Sequence, residues 1–158
     1  MSNNNTDTGM QPPSITVAIE AGASDDDEAV IQAGLAAYNR PYLGDIDFRP
    51  LRVLARDGEG RVVGGLIGGI YYGWLYVNVL WLDEAVRRRG IGSRLLALAE
   101  AEARAAGCHG AHLDTFDFQA RSFYERHGYT VHGTLGPYGA APGHIRYYLK
   151  KALGTEEA

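Results

Sequence analysis

Seven consecutive residues, Arg87-Arg88-Arg89-Gly90-Ile91-Gly92-Ser93, hold the most chemically informative spacing in the chain. Glycines at 90 and 92 let the backbone close on a ligand. A helix that starts there presents unpaired N–H groups carrying partial positive charge. Such a turn suits a pyrophosphate, with Arg87, Arg88 or Arg89 adding charge-assisted contacts. Two other phosphate motifs fail. Leu95 stands where a dinucleotide fingerprint needs its third glycine, and no Gly-Lys-Ser/Thr follows for a P-loop. A tight turn bearing a solvated basic run is the alternative.

Further candidates flank this turn. Asp83 and Glu84 close the preceding apolar run, where a carboxylate could take a proton through water; a solvated acidic pair beside three arginines is the competing reading. His144 is a second candidate base, although a surface or core histidine is the plainer assignment. Tyr124, a phenol with an ordinary pKa near about 10, can serve as a general acid or as a core aromatic beside Phe123 and His127. His109, His112 and His132 have no metal-ligand spacing, and Cys108, the only cysteine, follows a helix stop and reads as structural.

These residues need a scaffold, and the pattern supplies one. Ser14 to Ala21 reads as a first strand. Ser24 caps a helix reaching about Tyr38 and stopping before Pro41. Leu51–Arg56 and Arg61–Ile70 form a hairpin around Asp57-Gly58-Glu59-Gly60, and Gly73–Leu82 is a central strand. Ile91–Ala106 is an amphipathic helix with Ile91, Leu95, Leu98 and Ala99 inward and Arg94, Glu100 and Arg104 toward water. Ala111–Phe116 is a strand, Asp117 caps a short helix to His127, and Tyr129–Leu135 with His144–Lys151 closes the sheet. The order implies a mixed α/β fold, one domain with a partly parallel central sheet flanked by helices.

The 21 residues from Val62 to Leu82 carry no charge, yet five glycines (Gly64, Gly65, Gly68, Gly69, Gly73) cut them to strand lengths and argue against a membrane helix. With 158 residues, net charge −4, one cysteine and no apolar leader, the reading is a soluble cytoplasmic domain without a nucleic-acid partner. Residues 1–13 are expected as a flexible tail, 14–152 as the domain, and 153–158 as a second tail.

Arg87-x-x-Gly90-x-Gly92 after a strand, followed by Ala120-x-x-x-Tyr124-x-x-x-Gly128-Tyr129, resembles the GNAT superfamily of acyl-CoA N-acyltransferases. The resemblance spans Gly73 to Leu149. It implies acetyl-CoA as co-substrate, bound at its pyrophosphate by Arg87 to Ser93. It implies that Trp81 and Leu82 end the strand whose backbone pairs with the pantetheine arm, where a splay admits the acyl group. Tyr124 matches the tyrosine near the thioester sulfur, and Asp117 stands where the family often has asparagine contacting the cofactor arm. The expected reaction is direct attack by an amine, without metal or covalent intermediate. The acceptor would be a small molecule or a peptide, and the enzyme a monomer or homodimer. A non-catalytic acyl-CoA sensor and a toxin-like acetyltransferase of aminoacyl-tRNA are the alternatives.

Overall fold

A computed structural model describes residues 14–45 and 47–154. The tail expected at 1–13 and residues 155–158 lie outside them. The chain divides into two units between Tyr38 and Asn39.

In the first unit, Ser14 to Ala21 forms no strand, contrary to expectation. With no pairing partner among the described residues its weak alternation does not suffice, since a strand is stabilised by its neighbours. Helix α1 (Asp25–Leu43), whose residues from Asn39 onward belong to the second unit, begins as the sequence predicts: Ser24 Oγ accepts from the Asp27 N–H at 3.2 Å, and Asp27 Oδ2 accepts from the Ser24 N–H at 3.0 Å. The helix runs through Pro41 and ends at Gly44, whose left-handed backbone (φ 76°) lets its N–H donate to Arg40 O at 2.9 Å. That closing bond, rather than the proline, sets the stop.

The second unit is built on β1 (Arg49–Arg56), β2 (Val62–Tyr71), β3 (Trp74–Leu82), β4 (Gly110–Phe116), β5 (Thr130–Tyr138) and β6 (His144–Ala152). They form one sheet in the order β1-β2-β3-β4-β6-β5, in which only β3 and β4 run parallel. Helix α2 (Ile91–Ala105) is the crossover that joins this parallel pair, and it packs against β1 to β4. Helix α3 (Arg121–Arg126) connects β4 to β5. The fold is the mixed α/β sheet that the pattern implies. The apolar stretch from Val62 to Leu82 is two antiparallel strands, and among the described residues no helix is long and apolar enough to cross a membrane.

The core lies between α2 and one face of the sheet: Leu66, Leu75, Leu96, Ala99, Ala103, Leu113 and Leu149 are almost fully buried. Three expectations for α2 fail here. Leu98 is exposed and Leu96 takes the inward place, while Glu100 is buried and Arg104 is half-buried. The reason is remote in sequence. Glu100 accepts from Lys151 Nζ at 2.7 Å, Tyr129 Oη at 3.1 Å and Arg104 Nη2 at 3.3 Å, so its charge is paired where it lies. The core also extends to Leu153, which is buried and donates its N–H to His109 O at 3.0 Å.

Candidate functional site

The parallel pairing of β3 with β4 stops early, running from Trp74↔Gly110 to Val77↔Leu113 and no further. At that point Asn78 is the extra residue of a bulge, since Ile67 pairs with Val79 and Gly68 with Val77. A Cβ on Gly68 would collide with the Tyr76 carbonyl, so glycine is what permits the close approach. Beyond the bulge β3 stays paired to β2 as far as Leu82, and β4 stays paired to β6 as far as Phe116. Their facing edges separate, and the backbone groups of Asn78 to Leu82 on that side pair with no strand.

A cavity of about 610 Å³ occupies the gap. Its walls are the end of β3, Asp114 and Thr115 of β4, the 118–120 turn, Phe123 and Tyr124 of α3, and Arg87 with Gly92 at the start of α2. Of the residues the sequence proposes, Trp81, Leu82, Arg87, Gly92 and Tyr124 line it.

Arg88, Arg89, Gly90, Ile91 and Ser93 do not line it; they form the loop and the first helical turn around Arg87 and Gly92. A 3₁₀ turn (Glu84–Val86) leads from β3 into the loop, and Arg87 Nε donates to Leu82 O at 3.0 Å, tying the turn to the strand end. Arg88 (φ 57°) and Gly90 (φ 76°) are both left-handed, and Gly90 is the N-cap residue of α2 without any side-chain cap. Arg94 N–H returns to Gly90 O at 3.1 Å. The N–H groups of Ile91, Gly92 and Ser93 precede that first helical bond, so the helix offers them outward. Ser93 Oγ meets His127 Nε2 at 2.9 Å, and His127 Nδ1 meets the Phe123 carbonyl at 2.7 Å.

Asp83, Glu84 and Asp117 stand outside the cavity lining. Asp83 Oδ1 accepts the Ala85 N–H at 2.9 Å and so caps the 3₁₀ turn; Glu84 is inside that turn. Asp117 does not cap α3, whose N-cap is Ala120. Two residues intervene between Asp117 and that cap, and its carboxylate turns instead to β6, accepting from Ile145 N–H at 3.2 Å and pairing with His144 Nδ1 at 2.9 Å. Burial works against that carboxylate, but these two bonds hold its pKa below the usual range. Gln119 ties the turn back to the end of β4, accepting from Phe116 N–H at 2.8 Å and Thr115 Oγ1 at 3.1 Å, and α3 carries no side-chain cap.

Sequence reasoning missed Asn78, Asp114, Phe118 and Gln119 in the cavity wall. Asp114 follows directly on the last parallel pair and is gripped by Arg146, whose Nε donates to Asp114 Oδ2 at 2.6 Å. The one available signal was alternation: Asp114 falls between the buried Leu113 and Thr115, on the face opposite α2. Tyr76 and His112 share that face, their rings stacked at 4.9 Å. Burial, then the nearby His132, lowers the His112 pKa, and burial and Asp114 raise that of Tyr76.

Tyr124 is buried at 7% exposure, and burial, with a smaller contribution from the Asp114 charge, pushes its pKa up to about 12. Its ring meets Phe123 and Tyr129 edge-on, at 5.1 and 5.9 Å. The phenol is therefore protonated at neutral pH, a donor and not a base. Among the described residues, no cluster of His, Cys, Asp or Glu could hold a metal ion.

The arrangement has clear counterparts. The family model described as "Acetyltransferase (GNAT) family" matches residues 20–129. An acetyltransferase of Agrobacterium fabrum is 46% identical over 110 residues, covering 70% of this chain and 80% of its own length. The blasticidin-S acetyltransferase of Streptomyces morookaense is 44% identical over 112 residues, covering 68% and 81%. A solved structure of an acetyltransferase from Bacillus cereus superposes with a TM-score of 0.77 at 32% identity, covering 86% of this chain and 97% of that one.

Proposed function

The chain belongs to the GNAT acetyltransferase family, and from that premise we propose that it transfers the acetyl group of acetyl-CoA to an amine by direct attack. The observation that carries this reading is the continuity of the β3–β4 cleft. It runs from Asp114 and Tyr124 along the unpaired edge of β3 to the N-terminus of α2. Each part matches a need of the reaction. The outward N–H groups after Gly90 hold a pyrophosphate. The free β3 edge offers an extended amide chain the hydrogen bonds that β4 would have taken had the parallel pairing continued. Tyr124 donates to the sulfur as it leaves.

Asp114 is better placed than Asp83 or Glu84 to face the positive charge that develops on an attacking amine. It lies on the cavity wall, where Arg146 also grips it, whereas neither Asp83 nor Glu84 lines the cavity. An amine approaching from the Tyr76 and His112 face reaches the cleft past Asp114. The relative named for blasticidin S supports a small-molecule amine as acceptor over a protein.

The test is release of free thiol from acetyl-CoA across a panel of amines, with blasticidin S, polyamines, free amino acids and a peptide N-terminus as its members. Acceptor-dependent release with an N-acetylated product is expected. Tight coenzyme binding with no release on any amine would leave a sensor instead.

A further inference from the structure

The bond between Ser93 and His127 joins the first turn of α2 to the end of α3 across 34 positions of sequence, and its direction is fixed by chemistry. The Phe123 carbonyl can only accept, so His127 Nδ1 must carry a proton at 2.7 Å from it. In the neutral ring Nε2 is then a bare acceptor, and the Ser93 hydroxyl must spend its only proton on it. An oxygen in that state turns lone pairs, not a donor, toward anything docking at the helix N-terminus. A protonated ring reverses the bond: Nε2–H donates to Ser93 Oγ, and the hydroxyl proton is free to point outward.

We propose that His127 is a positioning residue for the coenzyme. By taking one proton from solvent it releases the Ser93 hydroxyl to the pyrophosphate, so that coenzyme binding and proton uptake are linked. This rests on the coenzyme reading of the cleft. Three features favour the protonated ring once the anion is present. Phe123 O is already in place for Nδ1–H. His127 is the C-cap residue of α3, where the helix carbonyls gather. The bound phosphates add negative charge near Ser93. No carboxylate on the neighbouring elements bonds the ring. On α3, Glu125 pairs with Arg121 while Arg126 is exposed; on α2, Glu100 is held by Lys151 and Arg104 while Arg94 is exposed. Lys151 of β6, which passes Gly128, is committed to Glu100. The Phe123 ring covers one side at 4.4 Å.

Affinity is therefore highest at acidic pH, where the ring carries both protons and the Ser93 hydroxyl is released, and falls toward alkaline pH, where Nε2 takes the hydroxyl proton back. The probe is dephospho-CoA, which keeps the pyrophosphate and lacks the ribose phosphate monoester that itself titrates near about pH 6. Calorimetry in buffers of different protonation enthalpy should show a proton taken up on binding near neutrality. The dissociation constant should rise about tenfold between about pH 5.5 and about pH 8.5, the scale of one charge-assisted hydrogen bond. Ser93→Ala and His127→Gln should each flatten that dependence and abolish the uptake.

A wild-type enzyme that binds dephospho-CoA equally at all these pH values, with no proton uptake, overturns the proposal. So does Ser93→Ala with the uptake intact, because the effect would then need no hydroxyl. Absence of binding at every pH overturns the coenzyme reading itself, and with it this one.

Discussion

Replacing Tyr124 by phenylalanine removes a single oxygen from the cleft, and the structure sets how much that oxygen is worth. Burial has pushed the phenol up to about 12. Handing its proton fully to a thiolate whose conjugate acid has a pKa near about 8.5 is therefore uphill by about 5 kcal/mol. The phenol keeps its proton and stabilises the leaving sulfur through a hydrogen bond to a charged group. Such a bond is worth about 1.5–3 kcal/mol, which is about 10- to 150-fold in rate. That lies at or below the lower end of what full proton transfer delivers, about 10²–10⁴-fold. The assay is single-turnover thiol release at saturating acetyl-CoA and amine, wild type against Tyr124→Phe. The rate ratio should stay constant from about pH 7 to about pH 10, because the phenol does not ionise in that window. Equal rates in the two proteins would remove the hydroxyl from the reaction. A ratio that collapses near pH 10 would show that burial does not hold the proton as argued. The ring contacts with Phe123 and Tyr129 survive the change, so acetyl-CoA affinity should not move.

Two glycine substitutions separate backbone shape from space. Gly90→Ala meets no atom within 4 Å but forces a side chain into φ 76°, costing about 1–2 kcal/mol in thermal stability and weakening acetyl-CoA binding as the N–H groups re-aim. Gly92→Ala places its methyl at 3.5 Å from the Phe123 ring and gains up to about 1 kcal/mol of helix propensity; calorimetry should nonetheless show weaker acetyl-CoA, because the methyl enters the cavity wall. Stronger binding by either variant would contradict the close approach. Glu100→Ala leaves the Lys151 ammonium and the Tyr129 hydroxyl without their shared acceptor and should cost about 3 kcal/mol, read as a lower Tm; an unchanged Tm would mean that the buried network contributes nothing.

Where a residue's environment is local, the sequence disclosed it. The turn from Arg87 to Ser93, helix α2 and the hairpin of β1 with β2 follow from neighbouring residues and sit where periodicity and glycines place them. Asp117 and Glu100 were misread for the opposite reason. Their partners, Ile145 and Lys151, lie 28 and 51 positions away, and nothing nearby announces them. Asp114 went unnoticed because an acid between a leucine and a threonine in an alternating run is the ordinary signature of a strand's solvent face. Only the bulge at Asn78, and the gap it opens toward β4, turns that position into a wall of the cleft.

Strand β6 lies between β4 and β5, although it is the last of the three to be made. During synthesis β5 therefore emerges with no sheet edge it can join, and the wall of the cleft carrying Asp114 has no Arg146 to hold it. The cleft can be finished only after β6 has inserted, late and from a distance, the kind of non-local closure that slows folding. Until then β4 presents an open edge, the usual point of attack for aggregation and for chaperones. A ribosome stalled before residue 144 would hold a chain with the phosphate turn already encoded and no place yet for an acetyl group.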